Sequence, residues 1–293
     1  MTVRKWAAGV VLGVAVCIAV AMPPSSLSAR PPERGYVTST LALPETPNQA
    51  NTYARDINGD GHLDNAFGQF LATLASQNLD FQSDTVDAIF GGKLLMLHSL
   101  RTPSWKKTTK ATWRVLFAKP AVPKFDGTDV LKVNASGPSS LLLRATVRNH
   151  RVKTRAGSVP VQLALGDIVT LRLKSGVIAA TCSRSRCSQG RITGAITKQE
   201  LDSHTIPQLA AAFTARVAHD CPGPGPDSCG SEGQILQQLF DTDDDLVISS
   251  AELSENSFVQ ALLSPDLDLN HDGELDALSV GLGFETVRAK LVR

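Results

Sequence analysis

A nine-residue acidic pattern occurs twice, near opposite ends of the 293-residue chain. Asp56-Ile57-Asn58-Gly59-Asp60-Gly61-His62-Leu63-Asp64 and Asp268-Leu269-Asn270-His271-Asp272-Gly273-Glu274-Leu275-Asp276 both read D-x-N-x-D-G-x-L-D. Side-chain oxygens on alternate residues, followed by a glycine that permits a sharp turn, suit a chain that wraps a hard cation. Counting from the first aspartate, Asp56, Asn58 and Asp60 take positions one, three and five, as do Asp268, Asn270 and Asp272. Position seven, which would offer its backbone carbonyl, is His62 or Glu274, and position nine is Asp64 or Asp276. The imidazoles of His62 and His271 are not needed, because hard cations prefer oxygen.

A third stretch, Asp241-Thr242-Asp243-Asp244-Asp245, resembles an EF-hand loop. Asp241, Asp243 and Asp245 fill the first three oxygen positions, Val247 the carbonyl position, and Glu252 the bidentate twelfth. Leu246 replaces the sixth-position glycine, and a left-handed backbone there costs a non-glycine residue about 1–2 kcal/mol. The same residues also suit a helix N-terminus, with Ser249 capping and Glu252 answering it. Loops one and three have the opposite defect, since Phe67 and Ser279 stand at position twelve. They are similar to the D-x-D-x-D-G variants of dockerin-type and thrombospondin-type repeats, and the competing reading is an Asp/Asn/Gly surface turn. Position eight is aliphatic in all three loops (Leu63, Ile248, Leu275). In paired EF-hands that residue forms a short strand with its counterpart, so Ile248 is expected to face Leu275. The resemblance implies Ca²⁺ as the bound ion.

Charge is segregated. Arg101–Arg155 holds thirteen Lys or Arg against two acids, Asp126 and Asp129, whereas Val217–Val287 holds fifteen acids and no Lys or Arg. Bound divalent cations would relieve that acidic repulsion. Two fates are open for the basic stretch: docking on the acidic end, or binding a polyanion such as polysaccharide or lipid head groups.

Residues 1–29 have the features of a secretory signal: Arg4 and Lys5, an apolar run Trp6–Met22, then Leu27-Ser28-Ala29. An uncleaved N-terminal anchor is the alternative. Either places the chain outside the cytoplasm, secreted, periplasmic or on the cell surface. There the remaining Cys182, Cys187, Cys221 and Cys229 would form disulfides, most simply 182–187 and 221–229.

Residues 30–52, rich in Pro, Ser and Thr, are expected to be an exposed linker or edge extension. Residues 53–90 would carry loop one and a helix over Asn65–Ser76. Residues 91–196 alternate apolar and polar positions in seven or eight runs, which predicts an antiparallel sandwich or barrel. Its outward positions include Arg114, Arg144, Arg148, Arg172 and Lys174. Residues 197–293 read as helices around loops two and three, including one helix over Ser250–Leu263, closed by a strand at Leu278–Phe284. The expected class is α+β.

The stretch Asp268–Phe284 and residues Asp60–Asn65 are similar to a loosely defined group of exported bacterial proteins. Their ends read roughly D-x-D-x-D-G-x-x-D-A-L-S-x-G-x-G-F, and the resemblance implies no activity. No H-E-x-x-H, G-x-S-x-G, P-loop or G-x-G-x-x-G occurs. The sequence therefore predicts an exported, non-enzymatic protein with structural calcium. The alternative is a calcium-stabilised hydrolase acting on glycans, which would need an unpaired carboxylate of raised pKa in a cleft.

Overall fold

The computed structural model describes residues 1–2, 31–223 and 228–293. The expected signal segment lies almost wholly outside them. Ten strands form one sheet: β1 (Glu33–Ala42), β2 (Met96–Arg101), β3 (Thr109–Phe117), β4 (Val130–Lys132), β5 (Leu143–Arg148), β6 (Arg151–Thr154), β7 (Gly157–Ala164), β8 (Ile168–Cys182), β9 (Arg186–Thr197) and β10 (Ala277–Val292). The helices are α1 (Pro47–Tyr53), α2 (Ala66–Ser76), α3 (Phe81–Phe90), α4 (Lys198–Glu200), α5 (Ile206–Asp220), α6 (Ser231–Phe240), α7 (Ser250–Glu255) and α8 (Ser257–Leu262). The protein is thus sheet-dominated α+β.

Pairing runs β1-β2-β3-β5-β6-β8-β9-β10, and β10 also pairs with β1, so the path returns to its start. Those contacts are antiparallel, whereas β4 adds to β10 in parallel. In β5 the predicted alternation is literal: Leu143, Ala145 and Val147 are buried, while Arg144, Thr146 and Arg148 are exposed.

Two strands depart from expectation because both of their faces are covered, which erases the period of two. Residues 33–42 are not a linker. β1 is hydrogen-bonded on both sides, and consecutive Tyr36, Val37 and Thr38 are all fully buried. The last strand extends far past Phe284, to Val292, and every residue from Ala277 to Phe284 is buried.

The sheet face that carries Trp113 holds a polar knot. Trp113 Nε1 donates to His98 Nδ1 (3.1 Å), and His98 Nε2 lies 2.9 Å from Thr38 Oγ1. Phe284 stacks on the imidazole with centroids 5.1 Å apart. An indole N–H can only donate, so Nδ1 is an acceptor and the proton of the neutral ring sits on Nε2.

The helices do not divide as the sequence suggested. Pro31–Arg293 is one compact unit. Phe81 of α3 stacks on Phe213 of α5, which stacks on Phe240 of α6. Arg216 bridges Asp84 on α3 and Glu232 on α6. Residues 53–90 and 197–293 therefore share one core rather than flanking a separate sheet domain. The helix expected over Ser250–Leu263 breaks at Asn256, whose extended backbone ends α7 and whose Oδ1 caps α8. Before α5 a π-turn spans Leu201–Thr205; Pro207 follows and lacks an N–H for the α-helical ladder.

Complete burial holds the His98 pKa down at about 3, from 6.5. The unfolded chain takes up a proton below about 6.5 that the folded ring refuses, so stability is full above that pH. Stability should then fall by about 1.4 kcal/mol per pH unit as pH drops from 6.5 toward 3. Urea unfolding in calcium-free buffer between pH 6.5 and 5 should show stability falling toward this slope in the wild type and a clearly shallower dependence in His98→Gln.

Candidate metal centre

The three acidic loops take one backbone path despite their different sequences. Position four is left-handed in each, at Gly59 (φ 87°), Asp244 (φ 58°) and His271 (φ 61°). Position six is also left-handed in each, at Gly61 (φ 90°), Leu246 (φ 66°) and Gly273 (φ 96°). In every loop the first aspartate accepts from the position-six N–H: Gly61 to Asp56 at 3.1 Å, Leu246 to Asp241 at 2.9 Å, Gly273 to Asp268 at 2.9 Å. The position-five aspartate accepts from position seven: His62 to Asp60 at 2.8 Å, Val247 to Asp245 at 2.7 Å, Glu274 to Asp272 at 2.9 Å. Asn58 and Asn270 accept from the N–H of Asp60 and Asp272. The leucine of loop two thus adopts the strained turn, and its side chain packs against the main core.

Loop two gathers charge. Asp241, Asp243 and Glu252 bring one carboxylate oxygen each within 4.8 Å of one another, and among the described residues no other such acidic, histidine or cysteine group forms. Glu252 accepts from Thr242 N (2.6 Å) and Oγ1 (2.9 Å) with one oxygen, and from Ser249 N (2.8 Å) with the other. Partial desolvation opposes ionisation there, but these hydrogen bonds win and hold the Glu252 pKa at about 2. Slight desolvation and then the charges of Asp245, Glu252 and Asp241 push the pKa of Asp243 upward. This repulsion is what a cation would remove. Both readings of Glu252 hold together, because the Ser249–Glu252 capping box is also present.

Loops one and three lack that convergence. Asp64 and Asp276 turn inward to accept from the position-two N–H, of Ile57 (2.7 Å) and Leu269 (2.9 Å). Burial first, then Asp60, Asp266 and Asp56, raises the Asp64 pKa. The N–H groups of His62 and Gly273, respectively, are the leading causes that lower Asp60 and Asp268. At position twelve Phe67 and Ser279 are fully buried. Phe67 is a core residue, and the Ser279 hydroxyl accepts from Ala66 N (2.7 Å) and bonds Asp266.

The expected Ile248–Leu275 pairing does not form. Ile248 is buried, and both its peptide groups are satisfied by one side chain: Thr214 Oγ1 accepts from Ile248 N (2.9 Å) and donates to Ile248 O (3.1 Å). Leu63 and Leu275 are exposed. The loops that meet are instead one and three. Their position-two residues, Ile57 and Leu269, pack with Ala195, Leu267 and Ala277 in one small cluster. Asn65, just after loop one, exchanges hydrogen bonds with Gly281 on β10, 216 residues away, and also caps α2. Thr214, Thr242, Asn65 and Asp266 carry no sequence signal of these roles, because their partners are distant or lie inside a turn whose shape must first be known.

Both disulfides, Cys182–Cys187 and Cys221–Cys229, join the nearest pairs. Cys182 and Cys187 lie directly opposite on the β8–β9 hairpin. Among the described residues no helix is long and apolar enough to cross a membrane.

The basic stretch packs against the acidic one through Trp113 and Phe284, but not through charge. Among the described residues, no ion pair joins a cation of 101–155 to an acid of 217–287, and Glu232 is the one acid of the latter segment with an ion-pair partner, Arg216. Arg144, Arg148 and Lys174 are exposed and Arg114 is half-exposed, donating to Ser140 O (3.2 Å), while Arg172 pairs with Glu200 at 3.5 Å. Asp84 lines a cleft and burial raises its pKa, but Arg216 holds it, so it is not the unpaired acid a glycan hydrolase would need.

Searches against family models, curated proteins and solved structures returned no match to this chain.

Thr214→Val should remove both bonds to Ile248 while preserving shape. Leaving the buried amide unpaired is expected to cost about 2 kcal/mol, measured by chemical denaturation.

Proposed function

We propose that this is an exported calcium-binding protein in which the ion is structural. It would hold the helical layer against a barrel-type sheet whose basic outer face meets a polyanion. The observation that carries the calcium reading is the convergence of Asp241, Asp243 and Glu252 on a loop with the turn pattern of its two acidic counterparts. In an EF-hand-like arrangement Asp241, Asp243, Asp245, the Val247 carbonyl and Glu252 would hold the ion. Loops one and three, without a twelfth-position acid, would bind more weakly through Asp56, Asn58, Asp60, Asp268, Asn270 and Asp272.

The partner reading rests on cations left without acids, including Arg144 and Arg148, and the export reading is consistent with two disulfides. Extracellular calcium is abundant enough that weak sites fill, which suits a structural rather than a sensing role.

Asp243→Asn separates the roles of charge and ion. The carboxylate of Asp243 is exposed and repelled by its neighbours. In EDTA the variant should melt at the same temperature as wild type or higher. In millimolar calcium the wild type should gain several degrees and the variant clearly less. Equal melting of wild type with and without calcium, and no heat of calcium binding, would refute the reading.

A further inference from the structure

We propose that a groove along β8 on the outer face of the sheet is a binding site for a single strand of acidic glycan. The proposal rests on the polyanion reading above and narrows it to a place and a ligand class.

The register defines the groove. Lys153 on β6 stands opposite Ala179 on β8, and Ala179 stands opposite Arg191 on β9. One row further along, Arg151 stands opposite Thr181. The small residues of β8 therefore form a floor between cationic walls two strand spacings apart, about 10 Å. The resulting cleft has a volume of about 650 Å³, and no carboxylate lines it. Arg151, Lys153 and Arg191 are exposed and form no ion pair among the described residues. Arg191 is aimed by a bond from Nη1 to the neutral carbonyl of Thr52 (3.2 Å), which leaves its charge uncompensated.

The backbone is distorted at this point. The β8–β9 register shifts between Ala179 and Thr181, and Gln189 lies in the left-handed region (φ 51°). A bulge of this kind re-aims side chains, and a non-glycine residue in the left-handed region is strained. Here it turns Gln189 to the groove, with its amide oxygen 3.4 Å from the Thr181 hydroxyl.

Width and chemistry select the ligand. A bilayer surface or a nucleic-acid duplex cannot reach a floor between walls this close. Single-stranded nucleic acid is held by successive aromatic platforms, and the groove offers one ring, Tyr53. A sugar strand bearing carboxylates or sulfates fits better: cations for the acids, and Thr181, Gln189 and Tyr53 for the ring hydroxyls. Glu285 and Glu45 act electrostatically on Tyr53 and make that end unfavourable for an anion.

The test is calorimetric titration of the full chain, at fixed calcium, with an oligouronate, a neutral dextran oligosaccharide, single-stranded oligothymidylate and phosphatidylserine vesicles. Three variants are compared, each checked for an unchanged melting temperature: Lys153→Ser with Arg191→Ser; Ala179→Trp, which fills the floor without altering charge; and Arg144→Ser with Arg148→Ser, beside the groove. The expected result is oligouronate binding without dextran binding, weakened about tenfold or more by each groove variant and about threefold or less by the flanking pair. If only the flanking pair weakens binding, the groove is refuted and the polyanion reading stands. If no anionic probe binds, both fail. Tighter binding of oligothymidylate or vesicles, lost in Ala179→Trp, would refute the glycan assignment.

Discussion

The hydrogen-bond ladders of β10 hold the protein together. On one side it pairs with β1, near the start of the described fold, and on the other with β9, which leads into the helices. That double pairing closes the strand path and brings the first and last strands of the described fold together. It also fixes where the acidic loops can sit. Loop three runs directly into β10, and loop one is fastened to it through Asn65, Ala66, Ser279 and Gly281. Asn65 is buried and uses its amide and carbonyl on four backbone groups. Such a fully satisfied buried side chain specifies one arrangement, because no alternative position offers the same partners.

The three loops show one backbone solution reached by different chemistry. Left-handed turns at positions four and six are met by glycine where glycine is present, and by Asp244, Leu246 and His271 where it is not. What separates loop two from the others is its exit. A helix beginning at Ser250 brings Glu252 back over the loop, whereas loop one exits into α2 with Phe67 pointing into the core and loop three exits into a strand. Loops one and two both exit into a helix, so it is the residue at position twelve, Glu252 against the buried Phe67, and in loop three the strand that follows, that set how many oxygens converge.

Much of this was legible in the sequence. Acid spacing, turn glycines, the capping pair Ser249 and Glu252, the α2 helix and the alternation of β5 are local patterns, and local geometry follows from them. The nearest-neighbour disulfides were also readable, since short spacing restricts the choice. What could not be read is long-range. β1 looked like a linker because a strand covered on both faces loses its alternation, and its threonines resemble loop composition until Thr38 is seen against His98. The partnership of loops one and three depends on β10 lying beside α1 and α2. Spacing pairs Ile248 with Leu275, but a single hydroxyl, Thr214, replaces a whole strand as its partner, and no spacing rule anticipates that.

The Ser279 hydroxyl has a wider consequence. It accepts from Ala66, which follows loop one, and bonds Asp266, which precedes loop three. Two acidic turns from opposite ends of the polypeptide thus share one small mechanical joint. Any change in ion affinity that occupancy of one turn works on the other, through this joint or the Ile57–Leu269 and Asn65–Gly281 contacts beside it, is returned by the same factor.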